Sequence, residues 1–250
     1  MNASPDLRAQ MESYPALHPS AQSARNSPLA GVLLTNADLD HVLGLFLLRE
    51  GGPLRLFSPQ SVLEVLVNDL RLTDILRPFC KLECYEPPYD HFAPLPGSTA
   101  IPAACACARS RSPRSFRRSA RSTSPAARRA SPTRSSTRIP QGRLVVAPDV
   151  AEIRPELQRA MESADAVLFD GTFWSGDEFQ RITGRARTAE EMGHVPVADS
   201  LNLLRNLKAR HKVYFHINNT NPILAPGSEE RRAVETAGLV VSHDGLELHL

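Results

Sequence analysis

From Gly31 onward, short apolar runs alternate with amphipathic stretches, the pattern of a chain whose buried strands are each followed by a covering helix. Val32 to Thr35 predicts a strand, and His41 to Glu50 predicts a helix with Asp40 as its N-cap and Gly51-Gly52 at its end. Leu54 to Phe57 reads as a second strand. Ser58 to Leu70 follows as a helix whose apolar face carries Val62, Leu63, Val65, Leu66 and Leu70. Further on, Leu144 to Ala147 predicts a strand, Arg154 to Ser163 a helix and Ala166 to Phe169 a strand. Asp199 to Leu207 predicts a helix, Lys212 to Ile217 a strand, and Ser228 to Ala237 a helix closed by Gly238. Leu239 to Ser242 and Leu246 to Leu250 predict two terminal strands. The expected class is α/β, one domain over residues 1–250.

The stretch from Gly97 to Pro140 breaks this pattern. It is almost entirely Ser, Arg, Pro, Ala and Thr, with Ile101, Phe116 and Ile139 as its large apolar residues, too few to bury a core. Either a disordered arginine-rich linker or a segment read in a shifted frame of a GC-rich gene accounts for it. The abrupt edges, where ordinary α/β sequence stops and resumes, favour the frame shift. Its charge also distorts that of the whole chain. The formal net charge is +2, but Arg109 to Arg138 holds ten arginines; without them 19 basic residues face 27 acidic ones, a net of −8. An acidic body repels phosphate, so no nucleic-acid partner is expected. Hydrophobic residues at 42% and charged residues at 22% exclude collagen-like and wholly disordered classes. No apolar run is long enough for a membrane span. The N-terminus lacks the basic start and apolar core of a signal peptide, so a cytoplasmic location is expected. Cys80, Cys84, Cys105 and Cys107 are then reduced thiols rather than a disulfide framework.

Candidate chemistry sits just beyond three predicted strands. Thr35-Asn36-Ala37-Asp38-Leu39-Asp40-His41 follows the first, and its adjacent Asp and His can point two ligand atoms into one cleft. Asp170-Gly171-Thr172 follows Ala166 to Phe169 and offers a carboxylate beside a glycine that permits close backbone approach. His216-Ile217-Asn218-Asn219-Thr220-Asn221-Pro222 ends another strand. Each has an ordinary alternative: a helix cap for Asp40, an Asx-turn for Asp170, a core histidine for His216. Ligands of α/β folds gather beyond the carboxyl ends of strands, so the three groups together are more informative than any one. Asp40, His41, Asp170 and His216 supply two imidazoles and two carboxylates, a mixture suited to iron or zinc with open positions. His194, in a glycine-containing loop, can exchange a proton at the same cleft or stand free on the surface. No phosphate-cradling glycine loop and no Gly-x-Ser-x-Gly elbow is present.

Four strings carry a resemblance: Leu33-Leu34-Thr35-Asn36-Ala37-Asp38-Leu39-Asp40-His41, Leu168-Phe169-Asp170-Gly171-Thr172-Phe173-Trp174, Met192-Gly193-His194-Val195-Pro196, and His216-Ile217-Asn218-Asn219-Thr220-Asn221-Pro222. They resemble the pyrroloquinoline quinone (PQQ) biosynthesis protein B family, whose fold is the metallo-β-lactamase-like αββα sandwich. That fold's usual signature is His-x-His-x-Asp-His, and Asn36 and Asp38 stand here at its first two histidines. The resemblance thus implies a mononuclear site in place of a two-metal hydrolase. Asp40, His41, Asp170 and His216 would be its ligands, with iron(II) favoured and zinc the alternative. It implies hydroxylation of the tyrosine ring of a Glu-Tyr-derived precursor, with His194 and Asp38 beside the reacting atoms and Asn218, Asn219 and Asn221 toward the substrate. The other implied roles are a carrier moving PQQ or its precursor to the periplasm, or a zinc hydrolase of the wider fold. Expected partners are a peptide-derived or quinone small molecule, the other PQQ biosynthesis proteins and a second copy in a homodimer. Family members carry first strands and a cysteine-rich zinc knuckle ahead of Asn2-Ala3-Ser4-Pro5-Asp6-Leu7, which would be missing here.

Overall fold

The computed structural model describes residues 1–21, 27–49, 52–86 and 142–250, together with the backbone of 93–94 and 104–107. Three short strands, β1 (Val32–Leu33), β2 (Leu54–Phe57) and β3 (Leu82–Tyr85), form a parallel sheet in sequence order. The second sheet also runs in sequence order: β4 (Ala93–Pro94), β5 (Ala104–Cys107), β6 (Arg143–Ala147), β7 (Ala166–Asp170), β8 (His211–Phe215) and β9 (Val240–Val241). It is parallel except where β4 meets β5.

Parallel neighbours need crossovers, and three helices supply them: α5 (Pro155–Glu162), α7 (Val197–Asn206) and α8 (Glu229–Thr236). Their apolar residues Met161, Leu204 and Val234 pack on Val145, Ala147, Val167, Phe169 and Tyr214. Each such large side chain, fully buried, contributes about 1.5–3 kcal/mol. The period-two alternation of β6 turns Val146 the other way, against Leu33 of β1 and Phe215 of β8. β1 alternates likewise, with Val32 and Leu34 in a second core shared with helices α1 (Leu7–Ser13), α2 (Leu39–Val42), α3 (Gln60–Glu64) and α4 (Leu72–Leu76). The layers are therefore helix, sheet, sheet, helix, the αββα sandwich expected from the sequence.

Several expectations need correction. The helix expected over His41 to Glu50 is α2, which begins at Leu39 with Asp38, not Asp40, at the N-cap, and after Val42 tightens into a 3₁₀ turn over Leu43–Leu47. The cause is the N-terminal segment: Ala3 N–H donates to His41 O (2.7 Å), and Gly44 N–H donates to Ala3 O (2.8 Å). Ladder groups of a continuing α-helix are thereby taken by another partner. A Cβ at Gly44 would lie 2.3 Å from Ser4 O, so only glycine admits this approach. The expected helix 58–70 is α3 followed by a π turn over Val65–Asp69. α4, β3 and α6 (Glu178–Thr183) were not expected; each has six residues or fewer, too short for a periodic signal. Leu246 to Leu250 is not a strand; Leu246 N–H closes a turn on His243 O instead. Within 97–140, where irregular chain was expected, residues 104–107 form β5. The remainder of that stretch lies outside the described residues.

Candidate metal centre

The carboxyl ends of β1, β6, β7 and β8 open on one edge of the sandwich, and the polar residues that follow them meet there. His41 is buried in α2, and its Nδ1 donates to Asn36 Oδ1 (2.5 Å) in the turn after β1. Asn36 Nδ2 donates in turn to Asp149 Oδ2 (3.0 Å), just past β6, so one amide spans the two sheets. Asp170, at the last position of β7, is 0% exposed. Its Oδ2 accepts from Val150 N–H (3.0 Å) and His194 Nδ1 (2.8 Å). Its Oδ1 accepts from Thr172 N–H (3.2 Å) and the Thr172 hydroxyl (2.6 Å). The Thr172 oxygen lies 2.9 Å from His216 Nδ1, which is also 3.4 Å from Asp170 Oδ1.

Local backbone geometry makes this convergence possible. Strand alternation alone would send His216 to the helix side with Tyr214, but His216 adopts a left-handed φ of 56° and turns away from that pattern. Asp149 does the same at 51°. Left-handed φ at a non-glycine residue costs on the order of 1 kcal/mol or more and persists where surrounding contacts impose it, commonly at functional sites. Gly171 lets β7 approach β8: its N–H donates to Phe215 O (2.8 Å), and an added Cβ would sit 3.0 Å from that oxygen. Gly193, at φ +91°, turns the chain ahead of His194, whose ring stacks on His216 with 5.9 Å between centroids.

Among the described residues two triads emerge, each with donor atoms within 4.8 Å of one another: His41, Asp149 and His216; and Asp170, His194 and His216. They differ in what holds them. The second is closed by its own hydrogen bonds. In the first, His216 Nε2 and Asp149 Oδ1 stand 3.7 Å apart, beyond hydrogen-bond reach, while the rings of His41 and His216 meet edge to face at 5.1 Å. Every imidazole is anchored through Nδ1, which leaves Nε2 outside these hydrogen bonds on all three, with Asp40 at 3.9 Å from that of His41 and Asp149 at 3.7 Å from that of His216. Burial opposes ionisation of Asp170, yet the hydrogen bonds from His194 and His216 outweigh it and hold the carboxyl well below the usual range. Burial raises Asp149, with the charge of His216 opposing and that of Asp170 reinforcing the shift. For His216, burial favours the neutral ring, but the hydrogen bond to Asp170 and the charge of Asp149 win and raise its pKa.

The residues expected from the sequence divide accordingly. His41, Asp170, His194 and His216 are brought together. Asp40 stands at their rim: its side chain is 74% exposed and it belongs to neither triad, yet its carboxylate lies 3.9 Å from His41 Nε2 and its charge helps to raise His216. Asp38 is exposed at the helix N-cap. Asn219 is exposed and Asn218 half-buried. Asn221 is buried, donating to Gly171 O (2.8 Å) and accepting from Ile223 N–H (3.0 Å), so its amide holds the loop. Asp149 was missed, although it follows the predicted strand Leu144 to Ala147 by two residues and the same strand-end rule would find it. Glu178 was missed too. It is 0% exposed and accepts from Trp174 N–H (2.6 Å) and the Thr220 hydroxyl (2.7 Å), tying the loop after β7 to the loop after β8. No short-range pattern marks such a tie.

A family model for the beta-lactamase superfamily domain matches residues 1–217, in agreement with the layered fold and the strand-end cluster of histidines and carboxylates. Within that class the relatives are specific. Coenzyme PQQ synthesis protein B of Methylobacterium sp. (strain 4-46) is 37% identical over 255 residues, covering 100% of this chain and 82% of the relative. The protein of that name from Methylococcus capsulatus is 35% identical over 261 residues, with the same coverage. The chain belongs to the coenzyme PQQ synthesis protein B family. Among solved structures, Zn(2+)-bound PqqB from Methylobacterium extorquens superimposes with a TM-score of 0.74 at 29% identity, covering 100% of this chain and 81% of that one. A diphosphatase of the PhnP family matches at a TM-score of 0.55 and 16% identity, over 99% of this chain and 77% of that one, a likeness of fold alone. No helix among the described residues is long and apolar enough to cross a membrane.

Proposed function

We propose that this chain acts in PQQ biosynthesis as a mononuclear metal-dependent hydroxylase of the tyrosine ring in a Glu-Tyr-derived precursor. The observation that carries the reading is the open triad: two imidazoles and one carboxylate, His41, His216 and Asp149, converge without bonding one another. Such a set fits a divalent metal, and two histidines with one carboxylate on one face are the donors of non-haem iron(II) oxygenases. The zinc-bound structural relative supports a divalent ion at this fold's cleft. Iron(II), when bound, would supply the redox chemistry of ring hydroxylation.

The protein's own residues do the rest. Asp149 takes the ligand role expected of Asp40. Asp170 holds His194 and His216 by their Nδ1 atoms, the carboxylate–histidine arrangement that fixes ring orientation at metal sites. His194, stacked on His216 with Nε2 free, is placed to take a phenol proton. Asn218 and Asn219, on the loop after β8, are the amides available to a substrate; the other PQQ biosynthesis proteins would supply that substrate and remove the product. The two triads share His216, which argues against a two-metal hydrolase; nothing in the site favours a carrier.

The test is anaerobic loading with iron(II), then addition of the cross-linked precursor, a two-electron reductant such as ascorbate, and oxygen. The expected outcome is oxygen uptake with one oxygen atom added to the ring and the other released as water at the expense of the reductant, absent in the zinc-loaded protein and in His216→Ala. Zinc-dependent hydrolysis without oxygen uptake would overturn the assignment.

A further inference from the structure

Asn36 contributes no ligand atom to either triad, yet it touches two of the three residues read as ligands. Its Oδ1 accepts from His41 Nδ1 (2.5 Å) and from Asp38 N–H (3.2 Å), while its Nδ2 donates to Asp149 Oδ2 (3.0 Å). Two contacts fix this orientation of the amide independently of the histidine tautomer: the opposite one would set an NH₂ against Asp38 N–H and an oxygen against the Asp149 carboxylate. We infer that Asn36 is a positioning residue that aims His41 and Asp149 at one metal ion. The inference rests on reading His41, Asp149 and His216 as the ligands.

Two consequences follow from the geometry. With Oδ1 as acceptor, His41 must carry its proton on Nδ1, leaving the Nε2 lone pair for a metal. With Nδ2 on Oδ2, Asp149 keeps Oδ1, the atom nearer His216, free to bind through one oxygen. Because His41 comes from the three-stranded sheet side and Asp149 from the six-stranded side, this amide sets the spacing of ligands across the sandwich. An uncharged amide does this without adding charge to the donor set. Partners of this kind typically change metal affinity by about 10–100-fold when lost.

The experiment reads tautomer and metal separately. In ¹⁵N NMR of the metal-free full chain at mildly alkaline pH, His41 is expected as the Nδ1–H tautomer in the wild type and in Asn36→Asp, which keeps the acceptor. Asn36→Ala is expected to shift it toward Nε2–H and to weaken zinc binding by about 10–100-fold in chelator competition. Should Asn36→Ala fail to fold, Asn36→Asp carries the test. It removes the donor to Asp149, and the visible spectrum of the cobalt(II)-loaded protein is expected to change. Wild-type zinc affinity in Asn36→Ala, an unmoved His41 tautomer, or an Asn36→Asp cobalt spectrum identical to wild type each overturns the positioning role alone. A wild-type chain that holds no zinc, or a His216→Ala variant that holds it equally well, overturns the ligand reading on which the role stands.

Discussion

The two histidine triads at the sandwich edge share His216 and differ in one physical respect. Around Asp170 both carboxylate oxygens accept hydrogen bonds, so that triad is held by its own network. Around Asp149 the donor atoms of three residues lie close together without hydrogen-bonding one another, and burial outweighs the opposing charge of His216 and raises the carboxyl. A closed cluster holds the fold, whereas an open one is where a ligand gains the most, since its groups are already desolvated and aimed.

Removing Asp170 should break the contrast most severely. Asp170→Ala leaves Val150 N–H, Thr172 and two imidazoles without their acceptor, and is expected to cost about 3–5 kcal/mol in urea unfolding as well as metal binding. A cost under roughly 1 kcal/mol would show that the closed triad is not structural. Glu178→Ala comes next, at about 1–3 kcal/mol, because it orphans the Trp174 amide and the Thr220 hydroxyl. Thermal denaturation reads this loss, and an unchanged midpoint would remove Glu178 as a tie. Asp149→Ala should do the reverse of Asp170→Ala: metal content falls to background by mass spectrometry while stability of the metal-free chain moves by less than about 1 kcal/mol. Asp40→Ala should change stability within about 0.5 kcal/mol and leave stoichiometry intact, since that carboxylate is exposed.

The pH response of the metal-free protein sharpens the same contrast. Asp170 is depressed in the fold, so its stabilising share is present above the ordinary carboxylate range and lost as pH falls through its folded value. Asp149 and His216 are raised, so their share is complete below their ordinary values and lost as pH rises through the folded ones. Asp149→Ala is expected to remove the loss that sets in as pH rises above the ordinary carboxylate value and, because one cause that raises His216 is gone, to move the second loss, above the ordinary imidazole value, to lower pH. A melting-temperature profile unchanged over both ranges would contradict this.

Regular elements around β6, β7 and β8 were legible because burial on a sheet face writes a short-range pattern: Val145, Val167 and Val213 sit in runs that any strand template finds. The three-stranded half was less so. Its first helix changes type at Val42 because Ala3, far off in sequence, takes the carbonyl of His41. His41, Asp170, His194 and His216 were legible as residues that follow strands or sit in a glycine loop. Asp149 obeys the same rule, two residues past the strand at Leu144 to Ala147. Asp40 neighbours His41 in the chain, but consecutive positions in a helical turn point about 100° apart, and its carboxylate stays at the exposed rim of the cluster.

The order of strands and helices from β6 to α8, the acidic body behind a basic segment, and the family to which the chain belongs were written in local patterns of residues. Which carboxylate joins the histidine pair was not. That choice follows from two left-handed residues, Asp149 and His216, and from an amide that reaches from one sheet to the other. Contacts between residues more than a hundred positions apart leave no periodic trace, because they depend on how two sheets pack rather than on how either one forms.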